Sequence, residues 1–88
     1  MKKEIKMKSG LVLELDEKVM DNMELVDTLA EASEEDPLAV SKMVRLILGN
    51  EKRKLYDSLR TEDGRVPVEA VSNALKEIFE SFGEKGKN

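Results

Sequence analysis

The sequence predicts an α+β fold in which a β-hairpin precedes about four helices, so that the chain is mainly helical. Apolar residues alternate with charged ones near the amino terminus, and they recur every three or four positions over most of the remainder. With 88 residues, the chain has the length of one domain over residues 1–88. We place the hairpin at about residues 2–15, helices at about 20–33, 37–48, 51–59 and 67–82, and a tail at 83–88.

The hairpin prediction depends on this alternation and on its turn. The alternating apolar residues are Ile5, Met7, Leu11, Leu13 and Leu15. A three-residue loop over 8–10, with Gly10 in the left-handed conformation, sets Ile5 opposite Leu13. A two-residue turn would set Ile5 opposite Glu14 and mix the two faces, so the longer loop is favoured. A lone hairpin is marginal in water, and its apolar face must therefore pack on helices.

The first two helices are predicted to be amphipathic. The residues expected to face inward from the first are Met23, Val26, Leu29 and Ala30, with acidic residues opposite. Asp36 and Pro37 open the second helix as N-cap and first helical residue, and Gly49 ends it. Its inward residues are predicted to be Val40, Met43, Val44, Ile47 and Leu48.

The last two helices are separated by a predicted turn over residues 61–65. We expect Asn50 to cap the third helix, which presents Leu55, Tyr56 and Leu59 to the core. Pro67 opens the fourth helix and Gly83 ends it. Its apolar stripe consists of Val68, Val71, Leu75, Ile78, Phe79 and Phe82.

The composition narrows the possible sources of stability. Small domains often depend on disulfides, metals or oligomerisation, and this chain has neither cysteine nor histidine. We therefore expect self-association or a protein partner. The lack of cysteine favours a cytoplasmic location, the amino terminus lacks the apolar run of a signal peptide, and no apolar stretch has the length of a membrane span.

The net charge of −4 is unevenly distributed. Residues 14–36 contain ten acids and one base, a net of −9, whereas residues 42–65 contain seven bases and four acids, a net of +3. This polarity predicts weak, salt-sensitive association between copies, or attraction to a basic partner. The alternative is that these charges only form solvated helix faces.

Catalytic and metal sites are not predicted. A Ser-His arrangement is impossible without histidine, and the carboxylates lie in charged segments, so we expect no enzyme activity and no cofactor. The turn around Gly64 resembles the middle of an EF-hand loop, but its two anchor positions would be Leu59 and Ala70, which lack carboxylates. We therefore expect an ordinary turn and no bound metal.

Two sets of residues are candidates for contacts with other molecules. Lys52, Arg53 and Lys54 form a basic run without interleaved aromatic residues, and the acidic neighbouring segment would repel phosphates. We therefore favour a solvated face or a protein contact over nucleic-acid binding. Phe79 and Phe82 either pack on the core or hold an apolar partner helix in a groove.

The whole chain resembles the small tail assembly chaperones of long, non-contractile-tailed phages and related prophages. The resemblance lies in the order of its motifs. These are the hairpin over residues 7–15, the run over 23–31, Asp36-Pro37-Leu38-Ala39, Leu46-Ile47-Leu48-Gly49, Leu55-Tyr56 with Leu59-Arg60, Asp63-Gly64-Arg65-Val66-Pro67, and the run over 72–80.

The resemblance implies a protein that coats the hydrophobic tape measure protein, keeps it soluble and lets tail tube protein polymerise around it, in the cytoplasm of the host cell. It implies no active-site residues. The alternatives are a small dimeric helical adaptor or antirepressor that binds a cytosolic regulator, and a nucleic-acid-associated regulator that uses Lys52, Arg53 and Lys54.

Overall fold

A computed structural model describes the backbone of residues 2–31 and 36–86, and the side chains of these residues except 31 and 83–86. Strands β1 (Lys2–Lys6) and β2 (Val12–Asp16) form an antiparallel hairpin, and a 3₁₀ turn (Glu17–Met20) follows. The described residues then form helices α1 (Met23–Glu31), α2 (Pro37–Leu48), α3 (Lys52–Leu59) and α4 (Val68–Gly86). The predicted α+β, mainly helical fold is confirmed.

The hairpin has the predicted register. Ile5 pairs with Leu13. The loop is closed by two hydrogen bonds, in which the Met7 N–H donates to the Leu11 carbonyl at 2.8 Å and the Gly10 N–H donates to the Met7 carbonyl at 2.9 Å. Gly10 has a φ of 97°, a left-handed conformation that other residues rarely adopt. The three-residue loop is therefore confirmed.

One hydrophobic core joins the inner face of the hairpin to all four helices. Its buried residues are Ile5, Met7, Leu13, Leu15, Leu25, Val40, Met43, Val44, Ile47, Leu48, Leu55, Val71, Ala74, Leu75 and Ile78. The five predicted inward residues of α2 are all among them. Tyr56, Leu59, Phe79 and Phe82 are partly buried against this core.

The ends of α2 also follow prediction. The Asp36 carboxylate accepts a hydrogen bond from the Leu38 N–H at 3.0 Å, and Pro37 is the first helical residue. At the other end Gly49 has a φ of 52°, and its N–H donates to the Arg45 carbonyl. Both arrangements satisfy backbone groups that a helix end leaves unpaired.

The predicted capping of α3 by Asn50 is wrong. A 3₁₀ turn (Gly49–Glu51) leads directly into α3, and Glu51 at the helix boundary makes no capping side-chain hydrogen bond. The Lys52 N–H instead donates to the Gly49 carbonyl. The turn therefore supplies the acceptor that a capping side chain would otherwise provide.

The buried face of α1 differs from the prediction. Leu25 and Thr28 face the core, whereas Met23, Val26 and Leu29 are 67%, 46% and 44% exposed and Ala30 is also exposed. Burial of Thr28 is possible because its hydroxyl donates to the Glu24 carbonyl at 2.7 Å. The helix begins at Met23, where the Asn22 amide oxygen accepts from the Glu24 N–H. Its predicted end at residue 33 lies outside the described residues.

Helix α4 continues past its predicted end. Gly83 lies within the helix, which extends to Gly86, so the prediction of a tail from residue 83 is wrong at least to that point. Glycine ends a helix when it takes the left-handed conformation, as Gly49 does. A glycine that stays helical only weakens the helix, by about 1 kcal/mol relative to alanine. Residues 87–88 lie outside the described residues.

The hairpin is anchored to α4 by polar contacts. The Lys8 N–H donates to the Glu77 carboxylate at 2.7 Å, and the Lys3 ammonium donates to the Ser81 carbonyl at 3.1 Å. On its other side, the Glu14 N–H donates to the Glu51 carboxylate at 3.0 Å. The hairpin thus occupies one side of α4 and leaves the side towards α1 uncovered by strands.

Candidate protein-binding surface

The exposed apolar residues of α1 form a continuous band, which we call the α1 stripe (Met23, Val26, Leu29 and Ala30). Successive residues of an α-helix are about 100° apart, so these four side chains occupy an arc of about 120°. The core-facing residues Leu25 and Thr28 lie about 160° and 140° around the helix from Met23, and Leu25 is about 40° from Leu29. The stripe therefore adjoins the core-facing side of α1 at Leu29 and extends from there to Met23 on the outside of the helix.

An apolar cleft between α1, α2 and α4 adjoins this stripe. Its volume is about 110 Å³. The residues that line it are Leu29, Val40, Met43, Ser72, Leu75, Lys76 and Phe79. Because Leu29 belongs to both features, the stripe and the cleft form one apolar surface that runs from the outside of α1 to the α4 wall.

Acidic side chains border the α1 stripe on the edge away from the cleft. Glu24 and Asp27 are both exposed. Viewed along the helix axis, Asp27 lies about 40° and Glu24 about 100° from Met23, on the side away from Leu29. The opposite edge, on α4, carries Ser72 and Lys76. The exposed Glu69 and Glu80 lie about 20° and 40° beyond Lys76 around that helix. The apolar surface therefore has a negative border on α1 and a border of mixed charge on α4.

The two candidate phenylalanines have different surroundings. Phe79 lines the apolar cleft. Phe82 lies beneath β1, with the Lys3 ammonium 4.8 Å from its ring centroid, a cation–π distance. The structure therefore places Phe79 on the candidate surface and Phe82 in the contact between α4 and the hairpin.

The basic candidates lie on α3 and do not line the cleft. Lys54 is 3.5 Å from the Glu51 carboxylate, and the Lys52 ammonium is 5.9 Å from the Tyr56 ring centroid. Arg53 is exposed. Exposed ion pairs of this kind contribute at most about 1 kcal/mol.

The turn that resembles an EF-hand loop satisfies its own polar groups. Gly64 has a φ of 89°. Asp63 accepts hydrogen bonds from the Thr61 hydroxyl and from Arg65, whose Nε–H donates at 2.8 Å. Within the described residues, no group of three or more acidic, histidine or cysteine side chains could hold a metal ion. The carboxylate of Asp63 acts within the turn.

The hydrogen bonds in this turn predict that the stability of the protein depends on pH. Hydrogen bonds from Thr61 and then Arg65 lower the pKa of Asp63 below its ordinary value of 3.8. Because the folded pKa is depressed, the contribution of Asp63 to stability is present above about pH 4 and is lost as the pH falls through the folded value. The urea midpoint of Asp63→Asn should therefore lie below that of the unchanged protein at pH 7. The two midpoints should converge near pH 2, and an equal difference at both pH values would contradict this role.

A shallower depression lies between α2, α3 and the start of α4. Its lining residues are Pro37, Val40, Ser41, Tyr56, Val66, Val68 and Val71. Leu38, at 80% the most exposed large apolar side chain described, is on the outer face of α2. It lines neither this depression nor the apolar cleft, and it therefore provides a matched control for substitutions in the α1 stripe.

Comparisons with protein-family models, with curated proteins and with solved structures find no match to this chain. Among the described residues, no helix is long and apolar enough to cross a membrane.

The sequence analysis assigns Met23, Val26 and Leu29 to the core, and it therefore misses the α1 half of the candidate surface. Leu25 indicates the alternative, because it is also apolar and lies between these residues in the sequence, so that α1 could have turned it towards the core instead.

Proposed function

We propose that this protein binds apolar helical segments of another protein, acting as a phage tail assembly chaperone. Its client would be the tape measure protein, which it would keep soluble in the host cytoplasm while tail tube protein polymerises. The observation that carries the proposal is the apolar surface formed by the α1 stripe and the cleft. The residues of the α1 stripe are not part of the buried core, and their exposed side chains are accessible to a partner.

The size and chemistry of the surface suit a helical client. An amphipathic helix binds in a groove through apolar side chains spaced three or four residues apart. Full burial of a valine, leucine or methionine side chain contributes roughly 1.5–3 kcal/mol. The stripe residues are about half exposed, so each would contribute a fraction of that amount. Binding of one segment by one copy would be weak.

Weak sites are appropriate for a protein that coats a long client. When many copies bind neighbouring segments of one chain, linkage raises the overall strength without new contacts at any single site. Each copy can still dissociate individually as the tail tube replaces it. The resemblance of the whole chain to tail assembly chaperones supports the same assignment of client.

Co-expression with a tape measure protein tests the proposal. The unchanged protein should keep the tape measure protein in the soluble fraction. The double variant Val26→Asp, Leu29→Asp should lose this effect, because it places two charges in the apolar surface without altering the core.

The matched control is Leu38→Asp, which changes an exposed leucine elsewhere and should act like the unchanged protein. Circular dichroism and thermal melting should show that all three proteins are folded. If the tape measure protein aggregates equally with the unchanged protein and without it, the proposed function is wrong. If the double variant still keeps it soluble, the client binds elsewhere.

A further inference from the structure

We propose that the α1 stripe and the apolar cleft select a helix whose apolar face is bordered on one side by lysine or arginine. This inference rests on the proposed function and specifies the chemistry of the client. It is carried by the position of the acidic residues relative to the apolar surface.

The acidic border lies where a bound helix would place one of its flanks. Glu24 and Asp27 are three residues apart on α1, so their side chains are neighbours along one edge of the helix. Both are exposed, as is Asp21 in the preceding turn. A helix that lies along the stripe brings one row of its flanking residues beside this edge. Basic residues in that row would be attracted, and acidic residues would be repelled.

The wider charge distribution strengthens this selection. Among the described residues, positions 16–30 carry five acids against one base, so the potential near α1 is negative over a distance greater than that of one ion pair. At the α4 edge the cleft is lined by Ser72 and Lys76, with the exposed Glu69 and Glu80 next to them on the helix, so the charges there are mixed. The preference for basic residues is therefore expected to be strongest at the client flank beside α1.

A second copy of this chain fits the surface poorly. Two copies packed through their α1 stripes would bring two strongly acidic segments together, which disfavours pairing at low salt. The basic helix α3 could supply positive charge, but its apolar residues Leu55, Tyr56 and Leu59 already pack against the core. Its outer face has no large apolar side chain to enter the cleft. Both of these pairings are therefore disfavoured, and we take a different protein as the occupant of the surface.

Two synthetic peptides test the inference directly. Both carry the same leucine stripe in an 18-residue helix-forming sequence, and they differ only in having lysine or glutamate along one flank. Fluorescence anisotropy with labelled peptides should show that the lysine peptide binds about three- to tenfold more tightly at 0.05 M salt, since each exposed ion pair contributes little. At 0.5 M salt, where the Debye length is roughly 4 Å, the preference should nearly disappear.

The double variant Glu24→Lys, Asp27→Lys should reverse the preference towards the glutamate peptide. The control Glu4→Lys, Glu62→Lys makes the same change in net charge at exposed residues of the hairpin and the 61–65 turn, and it should keep the preference for lysine. Circular dichroism should show that both variants are folded.

The possible failures are distinguishable. If neither peptide binds, the proposed binding of apolar helices is itself wrong. If both bind equally at low salt, apolar binding stands and the charge selection is overturned. If the Glu24→Lys, Asp27→Lys variant still prefers lysine, these two acids do not make the selection. Sedimentation of the chain alone would also overturn the inference if it showed a dimer that Val26→Asp dissociates, because a second copy would then cover the stripe.

Discussion

Leu13→Asp is expected to unfold the protein at room temperature, whereas Val12→Asp is expected to leave it folded. Leu13 is 0% exposed at the centre of the core, while the adjacent Val12 is 36% exposed on the outer face of the hairpin. Truncation of a buried leucine to alanine costs about 2–5 kcal/mol. An unpaired carboxylate in the same place costs more, because it must lose its hydration without gaining a partner.

The expected loss is large relative to the stability available. Whole domains are stable by about 5–15 kcal/mol, and small domains lie at the lower end because they bury less of their surface. Urea unfolding followed by circular dichroism measures the effect, with Leu13→Ala as an intermediate variant that should lower the unfolding free energy by about 2–4 kcal/mol. Wild-type stability of Leu13→Asp would show that this face of the hairpin is exposed in solution.

Phe79→Ala is expected to weaken client binding strongly, whereas Phe82→Ala is expected to lower stability and leave client binding nearly unchanged. Phe79 forms a wall of the apolar cleft. Truncation of an interface anchor costs about 2 kcal/mol or more, which corresponds to roughly thirtyfold in affinity. Phe82 contacts the hairpin through Lys3. Its loss should therefore destabilise the docking of β1 on α4.

The two variants control for each other, since each removes one partly buried phenylalanine from the same helix. Thermal melting measures stability, and binding to the lysine-flanked peptide measures the client contact. A large fall in melting temperature for Phe79→Ala, with unchanged peptide affinity, would show that Phe79 is a core residue. Loss of peptide binding only in Phe82→Ala would move the binding surface to the hairpin side of α4.

The hairpin and α2 could be predicted from local patterns alone. In the hairpin, the three-residue loop pairs Ile5 directly with Leu13, and a loop one residue shorter would put these two residues on different faces, so the loop length fixes the register. In α2, the cap at Asp36 and the glycine at Gly49 define the ends, and a single apolar arc leaves one choice of buried face. Local chemistry and tertiary packing agree at these positions.

The orientation of α1 could not be predicted in this way. The helix carries apolar residues over a wide arc, with Leu25 about 160° from Met23 and about 100° from Val26. Periodicity identifies such an arc but does not determine which part of it faces the core. In the folded protein Leu25 is the residue of α1 that packs in the core. Thr28 is buried as well, because its hydroxyl donates a hydrogen bond to the Glu24 carbonyl of the same helix. The cleft was unpredictable for a related reason, because it exists only where three helices separated in the sequence meet.

The contacts between the hairpin and α4 affect how the chain folds during its synthesis. Lys8 and Glu77 are separated by 69 positions, and Lys3 and Ser81 by 78. At roughly 5–20 residues per second, the ribosome needs about 4–15 s to make the intervening chain. During this time the hairpin has no α4 to pack against, and only the earlier helices can cover its apolar face. Docking of the hairpin on α4 therefore follows the synthesis of most of the chain.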